Sequence, residues 1–106
     1  VVSMVGKTNL QKELRLMTNL CVMVTMDSAN MHLSALAGTP TISIWGATHP
    51  LAGFTGIQAR GSKIIQLDMD CRPCSIFGNK KCFKGNYPCL NNIAPDIVAD
   101  AIRQFL

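Results

Sequence analysis

The sequence predicts an α/β domain, a mostly parallel sheet with helices packed against it. Three observations predict it. Short apolar runs alternate with longer stretches of helical spacing, the ordering that builds parallel sheets. Gly and Pro punctuate the boundaries between them. The chain has 106 residues, 48% of them hydrophobic and 15% charged. That suits one packed domain over residues 1–106; it is too short for two domains and too apolar for a disordered chain.

The elements follow in order. The opening "VVSMV" reads as the end of a strand. "TNLQKELRLMTNL" places Leu10, Leu14 and Met17 at helical spacing, with Lys12, Glu13 and Arg15 on other faces. "CVMVT", residues 21–25, is short, apolar and rich in β-branched side chains, and reads as a buried strand that includes Cys21. Asp27 or Ser28 can cap a helix whose core face is Leu33, Leu36 and Ala37. Gly38 and Pro40 stop that helix. "TISIW", 41–45, is the next strand, "GATHPLAGFTG" is loop, and "KIIQL", 63–67, is a further strand. A Cys-rich loop covers 69–92. "APDIVADAIRQFL" then has Pro95 in its first turn, with Val98, Ala101, Ile102 and Phe105 on one face.

The longest apolar runs are about five or six residues, far below the about 20 needed to cross a bilayer as a helix. No basic start with an apolar core and cleavage site is visible, so no secretory leader is expected. The chain opens on Val1, without an initiator Met, and is expected to be an excerpt of a longer protein. The net charge is +4, and six of the ten Lys and Arg residues lie between positions 60 and 84: Arg60, Lys63, Arg72, Lys80, Lys81 and Lys84. Such a patch attracts phosphate groups or is a solvated lysine-rich loop.

The stretch "TMDSANMHLSALAG", 25–38, carries the strongest functional signal. In open α/β sheets, ligands bind outside the carboxyl ends of the strands. A helix starting near Ser28 points free N–H groups and its positive dipole end at that crevice, a ready phosphate site. His32 lies one turn on from Ser28, and helical side chains lean toward the N-terminus. Asp27 suits the hydroxyls of a sugar. Thr48 and His49, after the next strand, belong to the same rim. The plainer reading is a helix cap and a packed histidine; the convergence of cap, histidine and strand end favours a site.

Two apparent motifs carry nothing. Asp27, Ser28 and His32 lack the Gly-x-Ser-x-Gly elbow of a hydrolase. "GKT", 6–8, lacks the earlier Gly of a phosphate-binding loop. Four of the five cysteines, Cys71, Cys74, Cys82 and Cys89, read C-x2-C-x7-C-x6-C. Four thiolates so close suit tetrahedral zinc. Free thiols are the alternative, and two disulfides a third.

These stretches resemble glycosyltransferase family 9, the ADP-heptose:lipopolysaccharide heptosyltransferases and relatives. The resemblance rests on "VGKTNLQKE", "VMVTMDSANMHLSALAGTPTISIWGATHP", "CRPCSIFGNKKCFKGNYPCL" and "IAPDIVADAI". It implies a Rossmann-like fold, here the C-terminal, donor-binding half of a two-domain GT-B enzyme whose N-terminal acceptor domain lies outside this chain. It implies a nucleotide-sugar donor, ADP-heptose, held by Asp27, Ser28, Ala29 and His32, with Thr8 and Thr48 flanking. It implies an acceptor in the lipopolysaccharide core or a lipid A precursor, and a cytoplasmic enzyme at the inner face of the inner membrane. His32 would stabilise the leaving group, the general base lies in the other half, and no cofactor is required for catalysis; a zinc in the Cys loop would be structural only. The family has Gly where this chain has Ala29, so phosphate approach at that turn is expected to differ. Two other classes compete: a nucleotide-sugar epimerase of similar fold, which would need no acceptor, and a non-catalytic zinc module. Nucleic acid is not an expected partner.

Overall fold

A computed structural model describes residues 1–52 and 54–106. The elements run α1 (Leu10–Met17), β1 (Met23–Met26), α2 (Ala29–Leu36), β2 (Thr41–Trp45), a 3-10 turn (Pro50–Ala52), β3 (Lys63–Gln66), α3 (Pro88–Asn91) and α4 (Pro95–Arg103). The three strands form one parallel sheet in the order β1-β2-β3. The fold is therefore the α/β architecture expected, with α2 packed on β1 and β2, α1 on α2, and α4 on β2.

The core centres on β2, the middle strand. Its side chains Thr41, Ile42, Ser43 and Trp45 are all buried. Two hydroxyl networks satisfy its polar groups. The Trp45 Nε1–H donates to Ser43 Oγ at 2.9 Å. Thr41 Oγ1 donates to Ser34 Oγ at 3.3 Å, and Ser34 Oγ to the Thr39 carbonyl at 3.2 Å. Thr39 Oγ1 in turn donates to the Met17 carbonyl at 2.6 Å, tying the end of α1 to the α2–β2 turn. Buried hydroxyls need such partners, because each unpaired one costs desolvation free energy.

Four expectations change. "VVSMV" forms no strand: Val1, Val2 and Val5 are exposed, and none of the described strands pairs with them to complete a ladder. Cys21 is exposed and precedes β1 rather than lying inside it. On α2 the buried residues are Met31 and Ser34, while Leu36 is 81% exposed. The helix begins at Ala29, and its i, i+3 pair Met31 and Ser34 turns to the sheet, which carries Leu36 to the outside. The Cys-rich segment is not all loop: Pro88, at a first-turn position, starts α3. On α4 the expected face holds, with Ala101 buried and Val98, Ile102 and Phe105 half-buried. Among the described residues, no helix is long and apolar enough to cross a membrane.

Candidate functional site

The parallel register pairs Met26 with Ile44 and Trp45 with Gln66, so the three strands end along one edge. Asp27 leaves the end of β1 there, and Gly46, Ala47 and Thr48 leave the end of β2. A cavity of about 290 Å³ opens at this edge, lined by Met26, Asp27, Ile44, Gly46, Ala47 and Thr48 on the strand side. Two of the expected residues, Asp27 and Thr48, are thus brought together.

Ser28 takes the N-cap position of α2, with extended backbone at φ −156° and ψ 171°. Its hydroxyl makes no cap bond to the helix; it lies 3.0 Å from Thr25 Oγ1 on β1. Neither Asp27 nor Ser28 therefore caps the helix through its side chain. The first-turn N–H groups stay without a side-chain acceptor, the condition under which a helix start attracts anions. Ala29 is the first residue of α2 and does not have the positive φ that would call for glycine. The Gly-to-Ala departure asks nothing unusual of the backbone here.

His32 sits apart from the cavity. It is exposed and lines a separate hollow with Ala35, Leu36 and Ile57. Its ring packs on the turn at Gly56, where a Cβ would stand 2.9 Å from Nδ1. Gly56 also has φ +58°, so a side chain there is excluded twice over. Thr8 does not line the cavity either; its hydroxyl donates to Glu13 Oε1 at 2.7 Å at the start of α1.

The opposite wall comes from the Cys-rich segment, which contributes Phe77, Gly78, Lys80, Tyr87 and Leu90 to the cavity. Arg72 fastens this segment to the sheet. Its guanidinium donates to the carbonyls of Gly46 at 2.5 Å, Thr48 at 3.0 Å and Leu67, and to Gln66 Oε1 at 2.9 Å. It bridges the ends of β2 and β3. Sequence placed Arg72 in a patch read as phosphate-attracting or as a solvated loop; the fold gives its donors to carbonyls instead. Lys63 is likewise engaged, donating to Gln104 Oε1 with its ammonium over the Phe105 ring. The N–H groups of Cys74 and Ser75 both donate to the Ala47 carbonyl, at 3.2 and 3.3 Å. Gly46 admits α3: a Cβ there would lie 2.6 Å from Leu90 Cγ. No sequence pattern marked Arg72 or Leu90 as builders of the site, since Arg72 meets Thr48 and Gly46 across 24 and 26 positions, and Leu90 meets Gly46 across 44, contacts reached only in the fold.

All five cysteines are free. Among the described residues no three His, Cys, Asp or Glu side chains converge as a metal site. Cys89 is buried with α3 whereas Cys82 lies in the exposed loop. Burial pushes the Cys89 thiol above its ordinary value, with the neighbouring Cys74 adding to the rise and Arg72 opposing it. At Cys82 desolvation raises the thiol, but the backbone N–H groups of Tyr87, Lys84 and Gly85 and the Lys84 charge outweigh it and lower the thiol overall.

The model of the family described as "Glycosyltransferase family 9 (heptosyltransferase)" matches residues 1–85. A lipooligosaccharide heptosyltransferase 2 of Campylobacter jejuni subsp. jejuni serotype O:2 is 30% identical over 83 residues, covering 78% of this chain and 25% of that protein. A lipooligosaccharide heptosyltransferase 2 of Haemophilus influenzae is 41% identical over 49 residues, 46% of this chain and 14% of its own length. A lipopolysaccharide heptosyltransferase 1 of Pseudomonas aeruginosa is 39% identical over 51 residues, 48% of this chain and 14% of its own length. The chain thus spans about a quarter or less of the length of these curated relatives. No solved structure matches it. The match over residues 1–85 takes in all three strands, the start of α2 and most of the Cys-rich wall, and on this ground the chain belongs to glycosyltransferase family 9, the heptosyltransferases.

Proposed function

We propose that this chain is the donor-binding part of a glycosyltransferase of lipopolysaccharide core synthesis. It takes a heptose carried on a nucleoside diphosphate, ADP-heptose, and passes it to a hydroxyl of the lipopolysaccharide core or a lipid A precursor. The observation that carries this reading is the cavity at the common end of β1 and β2, beside the open start of α2, in a family 9 chain. Asp27 accepts from sugar hydroxyls, and Thr48 lies on the same rim. The first-turn N–H groups of α2, at Ala29 and after, and the Ser28 hydroxyl meet the diphosphate. Thr8 flanks the nucleoside side.

The acceptor hydroxyl oxygen attacks the anomeric carbon as the bond from that carbon to the diphosphate oxygen breaks, with inversion. The hydroxyl proton passes to a base in an N-terminal half of GT-B type, outside this chain. Negative charge grows on the departing diphosphate, and fixed donors aimed there lower the barrier most. His32 packs on the turn at Gly56 outside this cavity, and its ring would have to turn out of that hollow to meet the departing diphosphate. The four loop thiols would require rearrangement to hold zinc, and no step of this reaction needs one. The enzyme works in the cytoplasm, at the inner face of the membrane that carries its acceptor.

Calorimetric titration with ADP, GDP and UDP tests the reading. ADP should bind saturably, and Asp27→Asn should weaken ADP-heptose more than ADP, since Asp27 serves the sugar. In the full-length protein, His32→Ala should lower kcat by about 100-fold, the scale of removing one donor to a developing anion. Unchanged kcat would remove His32 from the mechanism, and equal binding of all three nucleotides would remove the assignment of adenine.

A further inference from the structure

The cavity has two charged lining residues among those described, Asp27 on the strand side and Lys80 on the Cys-rich wall. Asp27 repels phosphate, so the wall must supply any cation that meets an anion from that side. The position of Lys80 is built rather than incidental. Ser75 is buried, and its hydroxyl accepts the Lys80 backbone N–H at 3.4 Å while lying 3.3 Å from Asn79 Oδ1. Ser75 itself is pinned to the Ala47 carbonyl at the end of β2. The chain from strand end to Lys80 is therefore continuous.

Tyr87 supports the same conclusion. It is the one non-glycine residue with positive φ among those described, at +46°. A left-handed non-glycine conformation costs about 1 kcal/mol or more and persists where its surroundings hold it. Here the Tyr87 carbonyl accepts from Leu90 and Asn91, the first turn of α3, and the residue lines the cavity. Phe77 lines the same wall and is 75% exposed. From 71 to 95 the sequence has four basic residues and no acidic one.

We propose that the segment around 77–87 is the second wall of the binding cleft, that the Lys80 ammonium holds a phosphoryl oxygen of the ligand, and that the Phe77 and Tyr87 rings flank its sugar or base. This rests on the cleft reading given under the proposed function. A phosphoryl group can come from the donor diphosphate or from a phosphorylated acceptor, and both present the same oxygens to Lys80. Lys81 and Lys84 carry the same charge nearby but do not line the cavity, which makes them internal controls.

The test titrates inorganic pyrophosphate and ADP into wild type, Lys80→Met, Lys80→Arg and Lys81→Met, and measures KM for donor and acceptor with the same substitutions in the full-length protein. Loss of one charge-assisted contact should weaken binding about tenfold in Lys80→Met. Lys80→Arg should retain most of the affinity, and Lys81→Met should match wild type. Weaker ADP and pyrophosphate binding assigns the donor diphosphate. Unaltered nucleotide binding with a raised KM for acceptor alone assigns the acceptor phosphate. Either supports the proposal. Wild-type binding and wild-type KM values for Lys80→Met overturn it, and if Asp27→Asn still weakens ADP-heptose, the donor site itself stands. Absence of ADP binding together with absence of sugar transfer by the full-length protein overturns both.

Discussion

Replacing Arg72 by Met removes a side chain that joins the ends of β2 and β3 to the Cys-rich wall. Four acceptors lose their donor: the carbonyls of Gly46, Thr48 and Leu67 and the Gln66 amide oxygen. A hydrogen bond from a charged group contributes about 1.5–3 kcal/mol net. Four bonds on one guanidinium are not additive, and Arg72 is half-buried, so water can reach some of the acceptors. The expected loss is about 2–4 kcal/mol, a large share of the about 5–15 kcal/mol that holds a typical domain folded. Urea unfolding followed by Trp45 fluorescence measures it, since Trp45 is the single tryptophan and is wholly buried beside this edge. Lys at position 72 keeps the charge but lacks the planar fork, and should recover less than half of the loss. A change below about 0.5 kcal/mol in Arg72→Met would refute the bridging role, because surface substitutions away from structural features fall in that range.

Three further outcomes follow from the same geometry. Ser43→Ala strands the buried Trp45 Nε1–H; the cost should be about 1–3 kcal/mol by urea unfolding, and a loss near zero would mean the indole finds another acceptor. Gly46→Ala drives a Cβ into Leu90 and should cost about 1–3 kcal/mol; adding Leu90→Ala should recover part of it, and strict additivity would argue against the clash. Alkylation by iodoacetamide should modify Cys82 at lower pH than Cys89, because the thiolate is the nucleophile, Cys82 is lowered and Cys89 raised; mass spectrometry at stepped pH reads the order. The Cys89 shift has a stability consequence of known sign. A thiol raised in the folded state stabilises fully below its ordinary value of 9.0, and that contribution fades as pH rises through the folded value. Cys89→Ala should flatten that alkaline decline, and an identical decline would assign it to other groups.

Local pattern made much of the fold legible. β2 and α4 lie where alternation, Pro95 and the apolar stripe put them, because their neighbours in sequence already dictate period and start. α2 ran differently. Its stretch is apolar on several sides, so composition did not choose between Leu36 and Met31 for the core; the direction from which the sheet approaches chose Met31. Asp27 and Thr48 were readable as neighbours at the cavity because both follow strand ends. His32 was readable as chemistry but not as geometry, since its ring is directed by the turn at Gly56, 24 positions later.

By itself the sequence determined the parallel α/β class, the family and the strand-end edge at which the cavity opens, because these depend on local periodicity, strand ends and motif. Only the tertiary structure decided which side chains share that edge. Arg72 became a bridge between strand ends rather than a free charge, Cys82 and Cys89 came to lie in unlike surroundings, and Lys80 became the cation facing Asp27. These outcomes depend on contacts between residues far apart in the chain. Such contacts are set by the register of β2 against β3 and by the close approach of α3 to Gly46, and no local pattern encodes either.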